Sequence, residues 1–148
     1  MADNGSVVLA GCGNMGFAML QGWLASEALK TEDAFVVEPN EGLRDRAAGL
    51  GVTAVADATE LPDDLVPAMI VLAVKPQVMA DIVPAYGRFV GSHTVFLSIA
   101  AGQTIGFLES HLESQPGTAA VVRSMPNTPA AVGRGITVAC ANARATDG

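Results

Sequence analysis

The sequence predicts an α/β fold: a doubly wound, mainly parallel sheet with helices on both faces. Three observations support this prediction. Short apolar runs alternate along the chain with stretches that have helical spacing. Residues 68–76 are apolar up to Lys75 without polar alternation, as expected for a parallel strand buried on both faces. Near the amino terminus, an apolar run ends in a cluster of glycines and a helical pattern follows.

The strands can be placed in order along the chain. Each is a short run of β-branched and other apolar residues that ends at glycine, proline or a polar residue. We predict strands over residues 6–11, 34–40, 52–56, 68–76, 94–102, 119–129 and 135–142. Parallel neighbours need a crossover, which is normally a helix. The last two strands are too close in sequence for one, so we expect an antiparallel edge at the C-terminal end of the sheet.

The helices lie between these strands. The first begins at Asn14, and a second covers residues 41–51 and ends at Gly49 or Gly51. A third, over residues 77–90, is disturbed by Pro84. A fourth follows Thr104, a suitable capping residue.

Composition limits the class of protein. The 148 residues suit a single domain, and half of them are hydrophobic although only 5% are aromatic. The formal net charge of −7 gives no basic surface for nucleic acid or an anionic membrane. No apolar run approaches the roughly 18 residues of a membrane span, and the polar start lacks the basic residues of a secretory signal. We expect a cytoplasmic protein that binds a small molecule.

The two cysteines do not indicate a disulfide framework. Cys12 and Cys140 are too few for one, and neither has the spacing of a metal ligand. We expect both thiols to be reduced and structural, and we predict no metal site.

The glycine cluster fits the pattern G-x-G-x-x-G. In such a loop the first glycine makes a tight turn, the second admits a pyrophosphate, and the third lets the helix pack on the strand. The phosphates then meet backbone N–H groups at the start of the helix. An ordinary tight turn is the alternative. Because the pattern follows a strand and opens a helix, we predict a Rossmann-type dinucleotide site formed by Gly11, Cys12, Gly13, Asn14, Met15 and Gly16.

An acidic residue at the end of the second strand completes this fingerprint. Glu38 is placed to accept hydrogen bonds from the adenosine ribose, and its charge would repel a 2′-phosphate. This favours NAD over NADP. Two alternatives remain: Glu38 is a solvated charge at a strand end, or Arg44 or Arg46 accommodates the phosphate of NADP.

Three more stretches add specificity. They are Ala73-Val74-Lys75-Pro76, Ser98-Ile99-Ala100-Ala101-Gly102 and Met125-Pro126-Asn127-Thr128-Pro129. With the glycine loop and the terminal run at 135–142, in this order and spacing, they make the chain resemble the N-terminal domain of pyrroline-5-carboxylate reductase, from about Val7 to the end.

The resemblance implies reduction of 1-pyrroline-5-carboxylate to L-proline, the last step of proline biosynthesis, with NADPH or NADH. It implies that the cofactor is bound also by Ala73, Val74, Lys75, Pro76, Ala100 and Gly102, and that Met125, Pro126 and Asn127 face the substrate. Plainer alternatives are that Lys75 ends a strand at the surface and that Pro76 starts a helix. No catalytic acid or base is predicted.

In the family, a C-terminal helical domain supplies groups that bind the substrate and forms the dimer. We expect this chain to be the dinucleotide-binding domain without that helical domain, weakly active or inactive alone, and a homodimer or higher homo-oligomer as part of a full-length protein. Two other functions stay open. One is a related NAD(P)-dependent reductase of another imine or a β-hydroxy acid, and the other is a non-catalytic dinucleotide sensor.

Overall fold

We analysed a computed structural model of the chain, which describes residues 5–90, 94–99, 105–112, 120–125 and 138–141. Its centre is a seven-stranded sheet in the order β3-β2-β1-β4-β5-β6-β7. The strands are β1 (Val7–Ala10), β2 (Ala34–Val37), β3 (Thr53–Val55), β4 (Met69–Leu72), β5 (Val95–Ser98), β6 (Ala120–Met125) and β7 (Val138–Ala141).

The first six strands are parallel to their neighbours, and β7 runs antiparallel to β6. The doubly wound α/β fold and its antiparallel C-terminal edge are therefore confirmed. The register brings Ala10, Val37 and Leu72 level with one another. As a result, the loops that follow β1, β2 and β4 meet at one edge of the sheet.

The helices are α1 (Asn14–Ala25), α2 (Glu41–Ala48), α3 (Met79–Ile82) and α4 (Ile105–His111). Asn40 is the N-cap of α2, and its side-chain oxygen accepts a hydrogen bond from the Leu43 N–H at 3.0 Å. Short 3-10 helices cover Thr31–Asp33, Ala58–Glu60, Pro76–Val78 and Val83–Phe89.

Alternate residues of the central strands pack on opposite faces of the sheet. Ile70 and Leu72 of β4 join the side chains of α3 and α4 on one face, which we call the α3 face. Val71 joins those of α1 and α2 on the other, the α1 face. All three are 0% exposed, so β4 is buried on both faces as its apolar sequence predicts.

The segment after β4 is less helical than the sequence predicts. Only Met79–Ile82 is α-helical, and a 3-10 helix continues from Val83 to Phe89. Pro84 accounts for this change, because it has no N–H for the hydrogen bond to the preceding turn and its ring crowds that turn. The four strands predicted over residues 6–11, 34–40, 52–56 and 68–76, whose ends are all described, are also too long, because the glycine, proline and polar residues at their ends lie in the loops.

Candidate functional site

Three loops meet at the carboxyl edge of the sheet, where the strand order reverses between β1 and β4. The Gly11 N–H donates a hydrogen bond to the Val37 carbonyl at 2.9 Å, and the Ala73 N–H donates one to the Ala10 carbonyl at 2.8 Å. These bonds join the loops that follow β1, β2 and β4. Ligands of open α/β sheets bind at this kind of reversal.

Gly11 turns the chain out of β1 in a conformation that favours glycine. Its φ is +92°, in the left-handed region. A Cβ at this position would lie 2.9 Å from the Ala73 carbonyl oxygen and 2.9 Å from Cγ1 of Val74. Both the backbone angle and the close approach of the β4 loop therefore require glycine.

Gly16 and Gly13 lack a side chain for opposite reasons. A Cβ on Gly16 would lie 2.6 Å from the Gly11 carbonyl oxygen, so α1 packs tightly on the loop. A Cβ on Gly13 would have no atom within 4 Å. The fold itself leaves room at Gly13, and the space in front of this residue is open to a ligand.

Helix α1 starts at this open space. Gly13 is its N-cap and supplies no side-chain hydrogen bond, and the first turn contains no acidic residue. The first intrahelical bond runs from the Phe17 N–H to the Gly13 carbonyl at 2.8 Å. The N–H groups of Asn14, Met15 and Gly16 precede that bond, and together with the helix dipole they can bind an anion.

Glu38 binds the backbone on both sides of the site. It is 7% exposed. One carboxylate oxygen accepts a hydrogen bond from the Cys12 N–H at 2.8 Å and the other from the Asn40 N–H at 3.0 Å. The alternative of a solvated charge is therefore wrong, because the carboxylate holds the glycine loop against the turn after β2.

Both arginines considered for NADP already have partners. Nη2 of Arg46 donates a hydrogen bond to the Cys12 carbonyl at 3.2 Å, and the guanidinium lies 4.0 Å from the centre of the Phe17 ring. Nη1 of Arg44 donates to the carbonyls of Glu38 and Pro39 at 3.1 and 3.2 Å. Arg46 is a support of the glycine loop that sequence reasoning missed.

Cys12 has a structural thiol. It is a free cysteine with 0% exposure. Burial raises the pKa of its thiol from 9.0 to about 11, although the charge of Arg46 lowers it in part. The thiol is thus protonated near neutral pH, and the residue contributes to the site through its backbone.

A cavity of about 160 Å³ opens beside the glycine loop on the α3 face. Gly11, Val37, Pro39 and Val74 line it together with Asp57 and Tyr86. The last two are not among the residues predicted from the sequence. The pattern Asp57-x-x-Glu60 is a capping-box signature, and it forms that cap in the structure; nothing in the sequence marks Tyr86.

The structure describes five of the other predicted residues. Ala73 and Val74 are half-buried beside Gly11, whereas Lys75 and Pro76 are exposed at the start of a 3-10 helix. Met125 is the last residue of β6, and its backbone pairs with Val138. Ala100, Gly102, Pro126 and Asn127 lie outside the described residues.

Within the described ranges, no group of His, Cys, Asp or Glu could hold a metal ion.

The described helices are all too short or too polar to cross a membrane.

Residues 6–102 match the family described as NADP oxidoreductase, coenzyme F420-dependent. The pyrroline-5-carboxylate reductase of Escherichia coli strain K12 is 34% identical in an alignment 140 positions long, which covers 92% of this chain and 49% of that protein. The chain thus spans about half the length of this curated relative.

Two solved structures share the fold. A pyrroline-5-carboxylate reductase from Coxiella burnetii has a TM-score of 0.85 at 24% identity, over 96% of this chain and 51% of that one. The Plasmodium falciparum pyrroline carboxylate reductase with NADP bound has a TM-score of 0.78 at 26% identity, over 97% and 50%. The chain belongs to the NADP oxidoreductase, coenzyme F420-dependent, family, and the relatives it resembles over most of its length are pyrroline-5-carboxylate reductases.

Proposed function

We propose that the chain binds NADH or NADPH at the carboxyl edge of its sheet and forms the dinucleotide-binding half of an enzyme that reduces 1-pyrroline-5-carboxylate to L-proline. The name of the E. coli relative and the NADP in the P. falciparum structure support this proposal. The observation that carries it is the open space in front of Gly13, at the start of a helix with no acidic residue in its first turn.

Each part of the site has a role in this proposal. The pyrophosphate lies against the backbone from Gly13 to Gly16, where amide N–H groups and the helix dipole stabilise its charge. Glu38 faces the adenosine ribose while it holds the Cys12 N–H. The loop from Ala73 to Pro76 borders the rest of the cofactor on the β4 side.

The reaction is a hydride transfer to the C=N bond of the cyclic imine. When bound, the reduced nicotinamide supplies the hydride. The contribution of the chain is to fix the position of the cofactor and to exclude water from one side of the site. A protonated imine is already electrophilic, so the demand for a strong protein acid is small.

The remaining expectations from the resemblance belong to the same proposal. Ala100 and Gly102 would border the nicotinamide, and Met125, Pro126 and Asn127 would face the substrate. A helical domain would complete the substrate site and join two or more copies of the full-length protein. The cytoplasmic location stays a prediction from the sequence.

The buried carboxylate of Glu38 favours NADH over NADPH. A 2′-phosphate would approach a carboxylate that has little water to screen it. The guanidinium groups of Arg44 and Arg46 are already engaged by backbone carbonyls and by the Phe17 ring. The carboxylate of Glu38 would therefore repel the 2′-phosphate of NADPH, and neither Arg44 nor Arg46 has a free guanidinium to offset this repulsion.

A single methyl group on Gly13 tests the proposed function. Because its Cβ has open space and its φ is −71°, Gly13→Ala should fold. We expect it to lose at least about tenfold in NADH affinity, some 1.4 kcal/mol, because the methyl occupies the place of the phosphate. Isothermal titration calorimetry of NADH into both proteins measures the change.

Gly22→Ala is the matched control. Gly22 lies in the same helix and a Cβ there also has no atom within 4 Å, but it is two turns from the loop. It should bind NADH as the unsubstituted chain does. If the unsubstituted chain bound no NADH or NADPH, or if Gly13→Ala bound as well as Gly22→Ala, the proposed function would be wrong.

A further inference from the structure

The guanidinium of Arg46 joins the last turn of α2 to the glycine loop. Its Nη2 donates a hydrogen bond to the Cys12 carbonyl at 3.2 Å. The same group lies 4.0 Å from the centre of the Phe17 ring, in the first turn of α1. Stacking on this ring restricts the planar guanidinium, so that less freedom is lost when it bonds the carbonyl.

The bond to the Cys12 carbonyl fixes the orientation of a whole peptide group. A trans peptide group is planar, and its C=O and N–H point in opposite directions. The Cys12 carbonyl points to Arg46, so the Gly13 N–H of the same peptide group points away from α2. No described residue accepts a hydrogen bond from this N–H. Because the space in front of Gly13 is open, the N–H is available to a ligand.

Other parts of the fold hold the two neighbouring peptide groups. The Cys12 N–H donates to Glu38 at 2.8 Å, and the Gly13 carbonyl accepts from the Phe17 N–H at 2.8 Å. Between them, Arg46 is the only hydrogen-bond partner that the described residues give to the Cys12–Gly13 peptide group. A half-turn of this group would take φ of Gly13 from −71° to a positive value, which glycine readily adopts. The bond from Arg46 opposes that rotation.

We propose that Arg46 is a positioning residue for the dinucleotide: by holding the Cys12 carbonyl, it turns the Gly13 N–H towards the pyrophosphate. This N–H then joins the donors at the start of α1. A loop in which the donor already faces its ligand loses less entropy on binding. In this role Arg46 acts through the peptide group and does not contact the cofactor. The inference rests on the proposed function, because it takes a dinucleotide bound at the glycine loop as its starting point.

Arg46→Met removes the hydrogen-bond donor and keeps an unbranched apolar side chain beside the Phe17 ring. Arg46 is exposed on α2, so the variant should fold. Without the bond, only a fraction of the molecules hold the Gly13 N–H in the binding orientation, and the apparent affinity falls by that fraction. We expect NADH and NADPH both to bind about fivefold more weakly, as for the loss of one hydrogen bond. Isothermal titration calorimetry measures the change.

Arg88→Met is the matched control. Arg88 also combines hydrogen bonds to backbone carbonyls with stacking on a phenylalanine. It donates to the carbonyls of Ala58 and Leu61, both at 3.4 Å, and its guanidinium lies 4.3 Å from the centre of the Phe89 ring. None of these residues belongs to the glycine loop. The substitution removes the same charge and should leave the affinity for NADH unchanged.

One NMR signal reports on the peptide group itself. Cys12-Gly13 is the only Cys-Gly pair of the sequence, so a chain with carbonyl-¹³C cysteine and ¹⁵N glycine gives a single peak in an HNCO spectrum. In ligand-free Arg46→Met the Cys12 carbonyl resonance should move upfield, because its hydrogen bond is lost, whereas Arg88→Met should leave it in place. In the unsubstituted chain, NADH should move the Gly13 amide proton downfield, because the N–H then donates to a phosphate oxygen.

The outcomes separate this role from simpler ones. A purely structural contact would lower the thermal midpoint of Arg46→Met and leave its affinity for NADH intact, which would overturn the inference. Weaker binding of NADPH alone would also overturn it, since the guanidinium would then act on the 2′-phosphate directly. If the Gly13 amide proton of the unsubstituted chain stayed in place while NADH bound, the inference would fail alone. If that chain bound no dinucleotide, the proposed function would fail with it.

Discussion

Glu38 has a structural role in the fold, and the proposed function gives it a binding role as well. Its carboxylate accepts hydrogen bonds from the Cys12 and Asn40 N–H groups, so it fixes the glycine loop before any ligand arrives. A carboxylate has about four lone-pair sites, and the two backbone bonds leave capacity for ribose hydroxyl groups. Preorganisation of this kind reduces the entropy lost on binding.

Replacement of Glu38 should therefore change both stability and cofactor preference. In Glu38→Gln, the amide nitrogen cannot accept a hydrogen bond, so one of the two backbone N–H groups loses its partner. We expect a loss of about 1–3 kcal/mol in the free energy of unfolding. We also expect the ratio of NADPH to NADH affinity to rise, because the charge that repels the 2′-phosphate is gone. Urea denaturation and titration with both cofactors measure these effects.

Glu32→Gln is a suitable comparison for this variant. Glu32 is exposed in the 3-10 helix before β2, at the opposite end of that strand. The Glu32→Gln substitution removes the same charge without contacting the glycine loop. It should leave the ratio of NADPH to NADH affinity unchanged. An equal shift in both variants would mean that net charge, rather than the position of Glu38, sets the preference.

The sequence predicts the residues of the site whose role depends on the backbone or on a strand end. The glycines and Glu38 fall in this group, because a motif fixes their place relative to β1 and β2. Arg46 and Tyr86 do not. Arg46 contacts Cys12, which lies 34 residues earlier in the sequence, and Tyr86 lines the cavity beside the glycine loop. Only the packing of the fold brings these two side chains to the site.

Among the elements, the junction of β1 with α1 depends most on close packing. A Cβ on Gly16 would lie only 2.6 Å from the carbonyl oxygen of Gly11. This contact sets how closely the start of α1 approaches the sheet. It therefore also sets where the helix N–H groups point.

Gly16→Ala should disturb this junction. Because the opposing atom belongs to the backbone, the methyl group cannot be accommodated by a side-chain rotation, and the helix or the loop must move. We expect a loss of about 1–3 kcal/mol in the free energy of unfolding, together with weaker NADH binding. Gly22→Ala in the exposed interior of the same helix should instead gain about 0.5–1 kcal/mol. A Gly16→Ala variant as stable as the unsubstituted chain, or stabilised like Gly22→Ala, would contradict the close packing at Gly16.

Element types follow from local pattern more reliably than element ends do. The alternation of apolar runs and helical spacing predicts every strand of the described sheet, and the uninterrupted run before Lys75 predicts the central position of β4. The ends depend on hydrogen bonds between strands that a single segment does not reveal. After β4, the sequence predicts a helix disturbed by Pro84, but it does not predict that the chain continues as a 3-10 helix as far as Phe89.

At the scale of the whole molecule, the two faces of the sheet carry different parts of the candidate site. Helix α1, whose N-cap is Gly13, packs on the α1 face, and the cavity that Tyr86 lines is on the α3 face. Both open at the edge where β1 and β4 separate the two halves of the sheet. The proposed dinucleotide would cross this edge, with its pyrophosphate over the glycine loop.

This arrangement predicts that the 148-residue chain binds cofactor but catalyses little. In the proposed function the groups at this edge hold the phosphate and ribose of the cofactor, and no described residue is assigned a catalytic role toward the imine substrate. Catalysis needs interactions with the transition state, and binding the cofactor alone does not supply them. With NADH and 1-pyrroline-5-carboxylate, oxidation of NADH followed at 340 nm should be far slower than with a complete pyrroline-5-carboxylate reductase, while NADH binding is readily measured. Turnover equal to that of the complete enzyme would show that residues of this chain form the substrate site themselves.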